Sequence, residues 1–273
     1  MGSAMARSRK LVLVALLTII LVSSLFIYMK LDFDSRNPET LFLNIEKNSP
    51  SVIEALQKLG ELTPADAVIF SWWDYGRAIE EFGGRKAVVA HPSRDIIQTI
   101  GGVSKDAIYS LEMQLFGTFE SSEKIRDVAK AFVLPEDESL AIMREYGATH
   151  VMVFCGTENY GVFYDPWKFV SVAGIAGYDG TEYIQTETSS SGVTLKLTSK
   201  SGQSTMLRLI YDEFQPEHFT KIYENKAAKV YRIEYPTSNL VESTIMTFPN
   251  PGAYSWLSTT PHPRVDIAPY CLN

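Results

Sequence analysis

The chain is poor in the residues that build metal and redox centres. Among 273 residues there are two cysteines, Cys155 and Cys271, and four histidines, His91, His150, His218 and His262. Two cysteines can pair, but they make no disulfide framework. No histidine falls at ligand spacing from another or from a cysteine, which excludes a zinc protein. Charge is lacking on the basic side: 25 Lys and Arg stand against 32 Asp and Glu, for a net charge of −7 and a pI near 5.2. With no Lys/Arg-rich patch interleaved with aromatics, nucleic acid is excluded as a partner. Internal repeats and low-complexity tracts are also missing. "GGVSKD" at Gly101 lacks phosphate-loop spacing, and the acidic run Pro135–Glu138 reads as a solvated helix start. His150 and Cys155 lie an odd number of residues apart on one apparent strand, so their side chains face opposite ways and make no nucleophile–base pair.

A long apolar run is present. After "MGSAM", which reads as a tag remnant, and a basic stub ending at residue 10, Leu11 to Met29 form nineteen residues without a charge. At about 1.5 Å per residue they nearly cross a hydrocarbon core of roughly 30 Å. A signal peptide would have a shorter apolar region and a small-residue cleavage site, which "SSLFIYMKLDFD" does not supply. Soluble helices are seldom apolar on every face for five turns. The expectation is a transmembrane helix over 11–29. Arg7, Arg9 and Lys10 on one side, and Asp32 and Asp34 on the other, place the later chain outside the cytoplasm.

Beyond a linker at 30–48, residues 49–236 carry alternating helix and strand signals, and an α+β domain is expected. Ser49-Pro50 starts a helix with an apolar stripe of Val52, Ile53, Leu56 and Leu59, ended by Gly60. "DAVIF" is a buried strand, "RAIEEFGG" a helix closed by glycine and "KAVVAHP" a second strand. A helical pattern runs from about Ser104 to Leu134 with Ile108, Leu111, Leu115 and Phe116 in phase. "LPEDESLAIMREYG" is a helix with acidic residues in its first turn, and "ATHVMVFC" is a strand. Two hairpins are expected near the C-terminus: "GVTLKLTSKSGQSTMLRLIY" about a Ser-Gly turn, and "HFTKIYENKAAKVYRIEY" about Asn225–Ala227. The tail, 237–273, is rich in proline and irregular.

Two of the four tryptophans stand together in "SWWDYG", Ser71–Gly76, on a strand-to-helix turn. Each indole offers one N–H donor and an apolar face, while an ionised carboxylate only accepts. Converging, Trp72, Trp73 and Asp74 can hold a hydroxyl, and such a pocket rejects an analogue lacking it. Two core tryptophans with an aspartate at the next helix start is the bland alternative. Gly76 would give the backbone latitude after the motif.

"WWDYG" is identical to the signature pentapeptide of the oligosaccharyltransferase catalytic subunit, and "TPADAVIFSWWDYG" resembles that family's approach to it. A second family element, D-x-x-K-x-x-x-(M/I) on a neighbouring helix, is matched by "DPWKFVSV", with Asp165, Lys168 and a valine, Val172, where Met or Ile is usual. "DVAKAFVL", with Asp127 and Lys130, is a rival match whose simpler reading is a surface i,i+3 pair. The chain thus resembles the last membrane span and extracytoplasmic C-terminal domain of that family. Its lack of large added modules is closer to archaeal than to eukaryotic members. The resemblance implies that Trp72, Trp73 and Asp74 bind the Ser/Thr hydroxyl of an Asn-X-Ser/Thr sequon and that Val172 touches a threonine methyl. Lys168 and Asp165 would support the pocket, and Tyr75 and Gly76 would shape the turn. It implies a sequon-bearing polypeptide and a dolichol-type lipid-linked oligosaccharide as partners of the full enzyme. A divalent cation, Mn or Mg, would be held by loops outside this chain, so no catalytic residue is expected here. A stand-alone, membrane-anchored peptide-binding module without catalysis is the alternative.

Overall fold

The computed structural model of the chain describes residues 2–36, 49–97, 111, 114–155, 164–189 and 192–236. Cys271, the tail from residue 237, the linker over 37–48, the "GGVSKD" loop and the start of the helix expected from Ser104 lie outside the described residues.

Helix α1 spans Gly2–Arg36, running unbroken into the segment read as linker. Within it Val14–Asp32 has a mean hydropathy of 2.2, is long and apolar enough to cross a membrane, and has no residue buried inside the protein.

A five-stranded mixed sheet organises the domain, in the order β2-β1-β3-β7-β6. Strands β1 (Val68–Phe70), β2 (Lys86–Ala87) and β3 (His150–Phe154) are mutually parallel, with Ile69 opposite Ala87 and His150. Antiparallel to β3 runs β7 (Ala228–Ile233), and the edge is β6 (Phe219–Glu224). Every residue of β3 is buried, as expected of a strand covered on both faces. Helix α2 (Pro50–Leu62) lies against β6 and β7. Helices α4 (Ser122–Val133), α5 (Glu136–Glu145), α6 (Asp165–Ala176) and α7 (Thr205–Ile210) pack together, with α7 on β3. Tyr231 Oη and Lys229 Nζ on β7 donate to the Leu209 and Ile210 carbonyls of α7, so these buried polar groups are satisfied.

Between β1 and β2 runs α3 (Trp73–Gly83), closed by Gly84 in the left-handed region (φ 57°), where glycine carries no Cβ penalty. Gly60 does not end α2, which continues for two residues. A Cβ there would lie 2.5 Å from the Gly83 carbonyl, so this glycine lets α2 and α3 cross closely.

Three expected elements differ. The helix from Ser104 does not continue to Leu134. Its described part ends at Phe116, Glu120 makes a parallel bridge to Ser93, and α4 begins afresh after Ser121. The Ser121 hydroxyl accepts from Lys124 N–H, a capping bond that competes with helix continuation. The first C-terminal hairpin is also displaced: β5 (Gly192–Leu197) pairs backwards with β4 (Ile184–Ser189), and "TMLRLI" is helix α7. Ser204 caps α7 by accepting from Leu207 N–H while donating to the Phe132 carbonyl, so the alternating pattern yields to a buried cap. The strand read in "KAVVAHP" is confined to Lys86 and Ala87, although Val88 N–H still donates to Ile69 O. The β6–β7 hairpin forms about Asn225, whose carboxamide oxygen accepts from Ala227 and Ala228 N–H.

Candidate functional site

The site is the meeting of two helix N-termini at the end of β3. Buried β1 delivers the chain to Trp72, the residue flanking α3, which is 4% exposed. Trp73 opens the helix half-buried, and Asp74 follows in the first turn, where the helix dipole favours a carboxylate. Opposite, Asp165 opens α6 with a proline in its first turn.

Asp165 is 1% exposed and fully engaged: Oδ1 accepts from Tyr75 Oη at 2.5 Å, and Oδ2 from Phe154 N–H at 2.8 Å. One turn on, Lys168 pairs with Asp74 Oδ2, and its ammonium stands over the Tyr75 ring, 4.2 Å from the centroid. Both members of the pair are mostly buried, at 18% and 16% side-chain exposure. Tyr75 packs its ring 4.4 Å from that of Phe154. The result is a continuous line: Asp74, Lys168, the Tyr75 ring and hydroxyl, Asp165, and the end of β3. Asp74 Oδ1, closed off from solvent, has no hydrogen-bond partner among the described residues. A carboxylate with one oxygen held by a lysine and the other enclosed without a partner can accept a further bond only when the side chains around it move aside.

Burial pushes the Asp165 carboxyl up to about 6, opposed by the Lys168 charge and by the bonds from Tyr75 and Phe154. Burial first, then the Asp165 and Asp74 charges, drive the Tyr75 phenol well above its usual range, so it remains a donor.

Five motif residues meet here: Trp73, Asp74, Tyr75, Asp165 and Lys168. Val172, one turn beyond Lys168, is fully buried and presents no surface to a threonine methyl in this conformation. Gly76 has an ordinary helical backbone with no positive φ, so latitude is not its role. A Cβ there would lie 2.0 Å from Val89 O and 2.5 Å from Ala90 Cα. Gly76 is the contact that seats α3 on the backbone that follows β2.

Sequence reasoning missed Tyr75 as the connector and Phe154 N–H as an anchor. The signal for Tyr75 was its place one residue after Asp74, which turns it inward on a helix; a backbone donor has no signature. Asp127 and Lys130 are 3.9 Å apart on α4, and Asp127 also accepts from Tyr146 Oη, far from this network in sequence and role. Burial pushes the Cys155 thiol up to about 12, as for an inert structural thiol. No three His, Cys, Asp or Glu side chains converge among the described residues. The surroundings of Asp74 do not fit a divalent cation: Asp165 is committed to Tyr75 and Phe154, and an ammonium occupies Asp74 Oδ2.

Comparison with known sequences and structures gives two kinds of likeness. The sequence family of the HaoA-associated protein HaoB matches residues 28–155, just under half of the chain. No curated protein matches. Among solved structures, the C-terminal globular domain of oligosaccharyltransferase from Archaeoglobus fulgidus aligns with a TM-score of 0.39 and 19% identity over 66% of this chain and 94% of its own. The C-terminal domain of PglB from C. jejuni aligns with a TM-score of 0.40 and 9% identity over 67% of this chain and 99% of its own. A second A. fulgidus oligosaccharyltransferase domain gives a TM-score of 0.35 and 17% identity over 67% of this chain and 93% of its own.

Proposed function

We propose that this chain is the acceptor-reading part of an oligosaccharyltransferase, the enzyme that moves a lipid-linked oligosaccharide to the asparagine of an Asn-X-Ser/Thr sequon. The observation that carries the reading is the unpaired Asp74 Oδ1 inside a complete WWDYG pentapeptide, with Lys168 holding the other oxygen. In this reading the side chains that close off Oδ1 move aside, the Ser or Thr hydroxyl donates to it, and the half-buried Trp73 shields the bond from water. Lys168 pairs with the carboxylate and fixes its rotamer, while Asp165 and Tyr75 fix Lys168. Val14–Asp32 crosses the membrane and leaves the domain on the extracytoplasmic side, while Arg7, Arg9 and Lys10 stay on the cytoplasmic side. The cation and the glycosyl-transfer chemistry belong to other parts of the full enzyme; these residues bind and orient the acceptor.

A sequon hydroxyl bonded to a carboxylate is worth about 1.5–3 kcal/mol. The full chain in detergent is therefore expected to bind an Asn-X-Thr peptide on the order of 10- to 100-fold more tightly than its Asn-X-Val isostere. Equal affinity for the two, by fluorescence anisotropy, rejects hydroxyl reading.

The HaoB match favours a second reading, because the protein it describes is an associate of another protein and the matched residues include the whole motif. Here the chain is a stand-alone, membrane-anchored binding module. The two readings differ in native size: an antibody to this domain detects a much larger band in source membranes in the first case, and one of this chain's own size in the second.

A further inference from the structure

Among the described residues of the domain, Leu111 and Leu115 are exposed leucines, at 48% and 49%, one helical turn apart. The adjacent Phe116 is held between two bodies. On the domain side it packs on buried Ile97 with Phe119. On the other side its ring meets Phe26 of α1 edge-on, with centroids 5.0 Å apart, and Lys30 reaches over the same ring.

Those partners fix a height. Phe26 lies three residues before Met29, the last of the uncharged run, and three residues of helix rise about 4.5 Å. Lys30 is one turn further out, at the level where a lysine reaches headgroups while its stem covers apolar surface. Phe116 is therefore level with the outer acyl boundary of whatever membrane the segment crosses. Leu115, next to it on the helical residues 114–116, and Leu111 meet lipid at about the 5–10 Å depth typical of interfacial helices.

We infer that the stretch carrying Leu111, Leu115 and Phe116 is a second membrane contact, inserted in the outer leaflet against the end of α1. The inference rests on reading Val14–Asp32 as a membrane span. It gives the domain a point of attachment beside the end of α1, which restricts the height and tilt of Asp74 above the bilayer. The continuity of the leucines with the apolar helix through the Phe26–Phe116 contact selects lipid as the occupant over a protein partner.

The test uses the full chain, with Cys271→Ser, reconstituted in phosphatidylcholine/phosphatidylglycerol vesicles. A nitroxide is attached in turn at Leu115→Cys, at Leu21→Cys within the span, and at Glu187→Cys, an exposed charged position on the β4–β5 hairpin. Collision rates with oxygen, which concentrates in lipid, and with a water-soluble nickel chelate are compared. The inference predicts oxygen-dominated collisions at 21 and 115, and nickel-dominated collisions at 187. A lipid signal at 21 with an aqueous signal at 115 overturns the second contact while leaving the span intact. A label at 115 shielded from both agents means that protein covers the leucines, and also overturns it. An aqueous signal at 21 removes the span, and the inference falls with it.

Discussion

Replacing Gly76 with alanine is expected to destabilise the protein by about 3 kcal/mol or more, although the position is inside a helix. Two effects compete. Alanine is the better helix former by about 1 kcal/mol, so a glycine kept only for backbone latitude would be improved by the change. Against this, the new Cβ would lie 2.0 Å from Val89 O and 2.5 Å from Ala90 Cα, and both obstacles are backbone. Ordinary overpacking costs about 1–3 kcal/mol when side chains can yield. Here a helix must move off the backbone that follows β2, and Asp74, two residues away, moves with it. Gly84→Ala is the control: nothing lies within 4 Å of its Cβ, and only the positive φ of 57° resists, at about 1 kcal/mol. Denaturant unfolding of the two variants separates the effects. A neutral or stabilising Gly76→Ala contradicts the seating role.

The second large effect is at Asp165. Asp165→Ala removes the acceptor of two buried donors, Tyr75 Oη and Phe154 N–H. At about 1–3 kcal/mol for each buried group left unpaired, the expected loss is about 2–6 kcal/mol. Asp165→Asn keeps the Phe154 bond through its oxygen and reverses the other, its amide donating to Tyr75 Oη, so it costs less than alanine but leaves the phenol proton without its acceptor. The two variants also separate packing from charge. With the folded-state value raised to about 6 and an unfolded value near 3.9, the native protein holds this proton more tightly than the unfolded chain. Stability from this residue is then present at low pH and is lost as pH rises from about 4 to about 6, by up to about 3 kcal/mol. The wild-type minus Asp165→Asn difference in unfolding free energy should fall across that window and be flat above it. Parallel profiles for the two would show that Asp165 is ionised at no unusual cost.

These two residues also show what could be read in the sequence and what could not. Helices with strong local signals were legible: Glu136–Glu145 has its acidic first turn, and Gly147 after it adopts a φ of 65°. The β6–β7 hairpin was legible through alternation and Asn225. The Gly192–Tyr211 segment was not, because "TMLRLI" alternates as well as a strand does. Its fate is decided by Ser204, which bonds a carbonyl 72 residues away. Gly60 was read as a helix end and Gly76 as backbone latitude, but both are glycine because another backbone passes close by, which is a tertiary fact. In the site, the residue types and the Asp165–Lys168 spacing were legible, since α6 puts both on one face. The Tyr75–Asp165 bond, across 90 residues, was not. It turns a supposed turn-shaping tyrosine into the strut between the helices.

The central claim is that Asp74 reads a hydroxyl, and a double-mutant cycle between protein and peptide tests it most directly. Wild type and Asp74→Ala are each titrated with an Asn-X-Thr peptide and with its Asn-X-Val isostere, and the four affinities give the coupling between carboxylate and hydroxyl. The account predicts that Asp74→Ala weakens the threonine peptide by about 1.5–3 kcal/mol, on the order of 10- to 100-fold, and leaves the valine peptide almost unchanged. Equal weakening of both peptides would mean that Asp74 only holds the site together through Lys168, and would contradict the claim.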